Sequence, residues 1–399
     1  MTGAKPRVLI AGAGIGGLTA ALALLRRDID VEVHEQAPEL REVGAGLQLS
    51  ANGTRLFYEL GVGEELKALS CETAGKEIRL WNSGETWKLF DLGRVSVERY
   101  GYPYFTVYRP DLLNVLVAAI RRIKPDAIHL GSKCLGFSQS EEGVRLEVPG
   151  KTCEGDALVG ADGVHSTIRQ ALFGPDRPQF TGIIAWRGIV PMEKLPRHMA
   201  RTVGSNWVGP GGHVVHYPLR AGSVMNFVGA LERRDWQVES WSARGTTEEL
   251  AADFKGWHED VHALIRNIPV PYKWALMVRP PMPRWTVGRV TLLGDACHSM
   301  LPALAQGAIM AIEDGFVLAR ALTEGSGDVA SRLLSYQNAR LERTRRTVEG
   351  SAENIRRFHN PALADPAQAR EYVAREWAGQ SVADRYEWLF RYDATTAAI

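Results

Sequence analysis

"RVLIAGAGIGGLTAALALLRRDIDVEVHE", residues Arg7–Glu35, is the stretch that decides the architecture of this chain. Arg7–Ala11 is a short apolar run, of the kind that forms a strand buried on both faces. Gly12–Gly17, GAGIGG, reads as a turn. Leu18–Arg27 is made of strong helix formers and ends in two arginines, which suit a helix C-terminus. Val31–Glu35 alternates and reads as the next strand. Strand, glycine turn, helix and strand make one complete βαβ unit. Gly12-x-Gly14-x-x-Gly17 is weak as a bare pattern. Placed after a strand and before a helix, with Glu35 about twenty residues on, it has the context a dinucleotide site requires. Gly12 permits the tight turn, Gly14 lets the backbone approach a pyrophosphate, and Gly17 lets helix and strand pack closely. The N-terminus of the helix that follows offers unpaired N–H groups and a partial positive charge to phosphates. Glu35 is placed to accept from ribose hydroxyls. The fingerprint serves NAD and FAD alike, so at this point the cofactor stays open.

The same stretch holds a trap. Val8–Leu25 carries no charge and follows Lys5 and Arg7, much as a signal peptide or a membrane span would. Four glycines among its first ten residues, and no small-residue cleavage site, favour the strand–turn–helix reading, with no membrane span. The rest of the composition is ordinary. The chain has 399 residues, 45% of them hydrophobic and 23% charged, with a net charge of +1. That suits a globular protein of two or three domains and excludes a broad nucleic-acid footprint. The four cysteines form no C-x-x-C, so a disulfide framework is not expected, and a reducing, cytoplasmic setting is.

Further along, Ile78–Leu92 is strand-like, and RPDLLNVLVAAIRRI (Arg109–Ile123) is an amphipathic helix. Gly143–Gly163 reads as a hairpin feeding a buried strand. Phe180–Leu276 reads as an antiparallel sheet with one helix, Thr247–Ile265, inserted. RVTLLGD, from Arg289, returns to parallel-strand character, and helices are expected over Gln306–Glu324 and Ala330–Phe358 with further turns to the end. The arginine-rich part of the last helix, Arg340–Arg357, is expected to be a solvated face paired within itself, Glu342 with Arg346 and Glu353 with Arg357. The expected fold is α/β: a Rossmann-like nucleotide-binding domain (1–76, 102–178, 279–345) interrupted by a sheet domain (77–101, 179–278), with a C-terminal helical segment (346–399).

Two more loops share the character of the first: GADGVHSTIR (Gly160–Arg169) and GDACHSMLPALAQGA (Gly294–Ala308). Asp295, Cys297 and His298 look at first like a metal or nucleophile site. Neighbouring loop residues cannot all converge on one tetrahedral ion, no second ligand cluster completes a set, and Cys297 has no evident base, so no metal is expected. With GAGIGG, these stretches resemble the three signature loops of the single-component FAD aromatic hydroxylases, the salicylate, 3-hydroxybenzoate and 6-hydroxynicotinate hydroxylases. The resemblance runs from Arg7 to about Tyr392.

It implies a p-hydroxybenzoate hydroxylase-like FAD-binding domain, FAD as cofactor, NADH or NADPH as co-substrate, and a small aromatic acid and O2 as substrates. It also implies a flavin C4a-hydroperoxide as oxidant. Asp295 would accept from the ribityl chain, and Arg109 would meet the phosphate and ribityl region. Asp162 is tied to FAD and to nicotinamide nucleotide binding. Backbone donors at Gly307 and Ala308 would face the flavin N1–C2=O edge. Ile15 and Gly46 complete the expected cofactor contacts. Pro302 would face the substrate ring. In VGPGGHVVHYPLRAG, strand alternation puts His213 and Tyr217 on one face and His216 on the other. A phenol ring is a better nucleophile when ionised, so His213 and Tyr217 are candidates for proton removal, the alternative being structural roles in a half-buried sheet. Arg187 could pair with a substrate carboxylate or serve as a domain contact. A dehydrogenase or reductase of the same fold, a non-catalytic flavin module and a homodimeric assembly stay open.

Overall fold

The computed structural model describes residues 6–40, 45–235, 243–377 and 380–399. The domain ranges expected from sequence include residues 1–5, 41–44, 236–242 and 378–379, which lie outside the described residues. The opening stretch folds as strand Arg7–Ala11 (β1), helix Ile15–Leu25 (α1) and strand Asp30–His34 (β2). Every residue of α1 is buried. The uncharged N-terminal run is therefore a core strand and a core helix. Among the described residues no helix is long and apolar enough to cross a membrane. The strands lie in a six-stranded sheet, ordered 286–287, 290–292, 157–160, β1, β2, 128–129. All its pairs are parallel except the edge pair 286–287 with 290–292. The fold is α/β, as its glycine turn implied.

Helix Gly307–Glu324 lies on α1, and glycine makes the approach possible: a Cβ on Gly315 would stand 2.7 Å from the Ala20 amide nitrogen. That contact places the N-terminus of Gly307–Glu324 beside the loop after strand Val290–Leu292.

The second layer is a seven-stranded sheet, ordered 272–278, 179–191, 224–232, 212–219, 203–209, 75–80, 86–91. One face packs Trp186, Trp207, Val214 and Phe227 against Leu250, Phe254 and Val261 from two short helices and the link between them. These helices correct an expectation. Thr247–Ile265 is not one helix but Thr247–Asp253 and Glu259–Arg266, broken at Gly256, which takes a positive φ of 85°. Thr246 and Glu249 form a capping box on the first, and the His258 side chain accepts from the Asp260 amide on the second.

The long helix Val329–Phe358 brings a second correction. Its arginines do not form a uniformly solvated face. Arg340 is fully buried and pairs with Glu313 (2.8 Å) and Asp314 (2.7 Å), and Arg343 binds Glu313 at 2.7 Å. Arg346 lies over the Trp388 ring instead of pairing with Glu342. Arg345 takes Glu342 and Glu349, and only the Glu353–Arg357 pair is as the spacing suggested. Helix spacing shows which side chains can meet along one helix. It does not show that Glu313 and Asp314, on the preceding helix, take the buried partners.

Candidate active site

A cleft of about 500 Å³ opens at the C-terminal ends of β1 and β2. Its lining includes Gly12, Gly14, Glu35, Asp162 and Gly163, so the first two glycine-rich loops meet there. The three glycines of the turn differ in what they do. Gly12 has a φ of 108°, and a Cβ there would be 2.4 Å from the Ala161 carbonyl oxygen. Gly17 is pressed on the turn itself, with a Cβ position 2.1 Å from the Gly12 carbonyl oxygen. Gly14 faces open space, with nothing within 4 Å of its Cβ position, at the start of α1. Ile15 is buried, so it can reach the cleft only through its backbone. The Glu35 carboxylate accepts from the Ala13 and Ala37 amides, each at 2.8 Å, which fixes both loops around it and leaves lone pairs for hydroxyls.

The second loop is held by its own aspartate. Asp162 accepts from the Ser166 hydroxyl (2.5 Å) and from the Thr167 and Ile168 amides (2.7 and 3.2 Å), so it organises the start of helix Thr167–Phe173. Burial raises its pKa and these donors oppose the rise. Arg169 joins the second loop to the third by donating to Ala296 O at 2.9 Å. In the third loop Asp295 is accessible to solvent yet ringed by protein, as at a cleft floor. Burial raises its pKa, against the pull of His298, Arg109 and Arg279. Arg109, half-buried at the head of helix Arg109–Ile123, thus lies on the same side as Asp295. His298 bonds Asp314 at 2.6 Å, and Asp314 also accepts from the Gly294 amide at 3.1 Å. A buried aspartate therefore fixes both ends of the turn that carries Asp295. Gly307 and Ala308 are half-exposed at the first turn of their helix.

The seven-stranded sheet turns one face towards these loops. Strand pairing places Arg187, Val228, Val215 and Asn206 in one row across it. Val215 and Val228 sit mid-strand at the sheet's centre and are only half-buried, so they floor a chamber. His213 and Tyr217 flank Val215 on this face, and His216 points to the other, beside Trp207. Four residues of strand separate His213 from Tyr217 by about 13 Å, so no proton passes directly between them.

His213 Nδ1 lies 2.7 Å from His359 Nε2, and His359 Nδ1 lies 3.2 Å from the exposed Glu232 carboxylate. Burial, then the neighbouring His359, holds the His213 pKa well below the usual histidine range, so His213 is neutral. Tyr217 is raised by burial. Gly46 meets this sheet: its amide donates to Asn226 Oδ1 at 2.9 Å, and a Cβ there would be 2.6 Å from the Tyr217 ring. Gly46 therefore serves the seam between the two layers. Arg187 is buried against the Tyr272 and Trp274 rings. Pro302 is exposed, between Leu301 and Ala303, whose side chains pack with Ala185, Ala230 and Trp274 of the sheet. Sequence reasoning missed Arg169, Asp314, His359 and Glu232. Asp314 lay in the expected helix Gln306–Glu324 without a role, and nothing in the sequence connects His213 to His359, 146 positions away.

Two loops meeting in a glycine-built cleft, a third tied to them through Arg169, and an apolar sheet face beside them point to a nucleotide-dependent oxidoreductase. Residues 5–351 match the FAD binding domain family, and the chain belongs to it. It is 37% identical over 391 residues to a 3-amino-4-hydroxybenzoate 2-monooxygenase of Streptomyces platensis, covering 98% of this chain and 97% of that one. It is likewise 37% identical over 395 residues to a 3-hydroxybenzoate 6-hydroxylase of Polaromonas naphthalenivorans, covering 97% and 96%. Among solved structures, Klebsiella pneumoniae HpxO with FAD and uric acid superposes with a TM-score of 0.81 at 26% identity, covering 99% of this chain and 97% of that one. This chain is an FAD-dependent monooxygenase of the aromatic hydroxylase group.

Proposed function

We propose that the protein hydroxylates a small aromatic acid bearing a ring hydroxyl, with NADH or NADPH as the electron source and O2 as the oxygen source, in a reducing cytoplasmic setting. The observation that carries this reading is the floor of the chamber. Two half-buried valines in the middle of a sheet offer a flat apolar surface the width of one ring, with His213 at one end and Tyr217 at the other.

The cleft fits FAD. The open Cβ position at Gly14 leaves room for a pyrophosphate against the backbone, and the N–H groups from Ile15 onward are aimed at it. Glu35 would accept from ribose, Arg109 and Asp295 would hold the phosphate and ribityl portion, and Asp162 shapes the loop between them. Gly307 and Ala308 would present their amides to the ring. Gly46, at the seam, keeps side chains away from it. When bound, FAD supplies the electron transfer from nicotinamide nucleotide to O2. No second dinucleotide fingerprint is present in the sequence, so the nicotinamide nucleotide binds only in passing.

The chain's own residues do the remaining work. The chamber side of the third loop has no lysine, arginine or glutamate between Asp295 and Ala308, which keeps charge and its water away from the reacting atoms. His213 is neutral and has Nδ1 engaged by His359, so Nε2 is the atom that takes the phenolic proton. His359 and Glu232 continue that contact to the surface. Pro302 lines the chamber's loop side. The test is a panel of hydroxybenzoates and hydroxypyridine acids, scored by stimulated NADH or NADPH oxidation against peroxide released. Hydroxylated product is the expected result. Stimulated oxidation with stoichiometric peroxide and no product across the panel would assign the chain to oxidase or reductase chemistry.

A further inference from the structure

Reading the chamber as an aromatic-acid site, we propose that Lys76 is the cation that receives the substrate carboxylate, with Tyr217 and Asn226 beside it. Lys76 lies on strand Gly75–Leu80. Strand pairing sets it in one row with Gly204, Tyr217 and Asn226, next to the Val215–Val228 row and on the same face. Gly204 supplies no side chain between its neighbours. A Cβ there would be 3.6 Å from Lys76 Cγ and 3.8 Å from Tyr217 Cβ, so the lysine and the tyrosine stand on either side of a shallow gap.

The row is rich in donors and holds no carboxylate. Lys76 is 9% exposed, and among the described residues its ammonium has no carboxylate partner; its contact is the Tyr104 ring, at 5.3 Å. The adjacent acid, Glu77, cannot serve it. The pleat points Glu77 to the opposite face, where it accepts from Arg201 (2.6 Å) and Ser205 (2.7 Å). Asn226 is 1% exposed. Its Oδ1 is taken by the Gly46 amide, which fixes the amide orientation, and its Nδ2 has no acceptor among the described residues. The Tyr217 hydroxyl stands at the same Gly46 seam, 2.9 Å from a Cβ built there.

A buried ammonium and a buried amide donor without partners are each destabilising. Together they describe the complement of an anion with two oxygens. Rows in a sheet repeat every second residue, about 6.6 Å, which is close to the length of a benzoate ring. A ring over Val215 and Val228 with its carboxylate on the Lys76 row thus turns its opposite edge to the His213 row. Arg187, the other cation on this face, lies four strands from Lys76 and is already stacked on Tyr272 and Trp274. It borders the chamber and does not take the carboxylate.

The experiment compares 3-hydroxybenzoate with 3-hydroxybenzamide, its neutral isostere, on the FAD-loaded protein. Dissociation constants are read from the change in flavin absorbance on binding, and melting temperature and FAD content serve as controls. Lys76→Met should weaken the acid about 10- to 100-fold, the worth of a charge-assisted hydrogen bond, and change the amide less than about threefold. Lys76→Arg should keep most of the preference for the acid. Equal loss of acid and amide in Lys76→Met, or no loss of either, would overturn the assignment. If wild type binds neither compound, nor any other hydroxy acid of the panel, the reading of the chamber fails and Lys76 with it. If wild type binds acids and Lys76→Met binds them as well, only the role of Lys76 fails.

Discussion

Replacing Gly14 and Gly17 by alanine, one at a time, separates a glycine required by the ligand from one required by the fold. Gly14 has φ −71° and ψ 179°, a conformation alanine adopts freely, and its Cβ position has nothing within 4 Å. Alanine in place of glycine at a helix N-cap costs about 0.5–1 kcal/mol, and the less flexible unfolded chain returns about 0.4–1 kcal/mol, so the two nearly cancel. The apoprotein should therefore melt within about 2 °C of wild type. The new methyl stands in the cleft, however, where the pyrophosphate has to meet the backbone. Displacing it weakens about two charge-assisted N–H···O bonds, roughly 1.5 kcal/mol each, so FAD affinity should fall about 100-fold. Gly17→Ala reverses the pattern. Its methyl would lie 2.1 Å from the Gly12 carbonyl oxygen, a backbone atom that cannot rotate away. Overpacking of this kind costs about 3 kcal/mol or more, and the apoprotein should melt several degrees lower. The assay pairs circular-dichroism melting of the apoproteins with FAD titration by flavin fluorescence. A Gly14→Ala protein that binds FAD as wild type does would refute the placement of the pyrophosphate. A Gly17→Ala apoprotein as stable as wild type would refute the packing argument.

Asp314→Asn should destabilise the fold by about 3–5 kcal/mol, because Arg340 loses one of its two buried anions and His298 loses its partner. The effect depends on pH in a fixed sense. Raised His298 contributes fully below about pH 6.5 and fades as pH climbs through its folded value, while Asp314, lowered to about 2, contributes above about pH 4. Urea melts should therefore show the largest difference between those limits, and a difference independent of pH would argue against the ion pair. His213→Ala should slow hydroxylation of a phenolic acid about 100-fold or more, read as product formed per unit time at saturating substrate; unchanged turnover would remove it from the chemistry. Lys76 is lowered to about 8 by burial, and the phenols near it, Tyr104, Tyr217 and Tyr386, are all raised and stay neutral. Affinity for 3-hydroxybenzoate should accordingly hold below pH 8 and fall about tenfold per unit above it, and a flat profile to pH 10 would contradict a titrating lysine.

What could be read in the sequence was local. β1, the glycine turn and α1 follow from short-range rules: an apolar run, residues free to turn, then helix formers. Helix Arg109–Ile123 spans the predicted residues because its apolar period and its Pro110 start are both written in one contiguous segment. The break at Gly256 was missed because a single glycine within a helical pattern is usually tolerated, and only the positive φ shows that the chain turns there. The buried ion network was missed for a different reason. Arg340 and Arg343 have no acid three or four residues away, and the acids elsewhere in their helix, Glu342, Glu349 and Glu353, suggested a face paired within itself. Glu313 and Asp314 prevail because the interior excludes water, and a buried charge must take the partner that tertiary packing brings.

The same reasoning explains why the cofactor half of the site was more legible than the substrate half. Loops that hold a dinucleotide do so largely through backbone, and backbone needs declare themselves as glycines at fixed spacing. A chamber floor is assembled from single residues of five strands, and its chemistry depends on which face each one takes. Lys76 and Glu77 are neighbours of opposite charge, which in sequence reads as a neutral surface pair. The pleat sends the acid to Arg201 and the lysine to the chamber, and that one-residue alternation converts an apparent ion pair into an unmatched cation beside an unmatched amide. Specificity for an acid thus rests on strand register: a slip of one residue in Gly75–Leu80 would offer the chamber a carboxylate and repel the substrate it now invites.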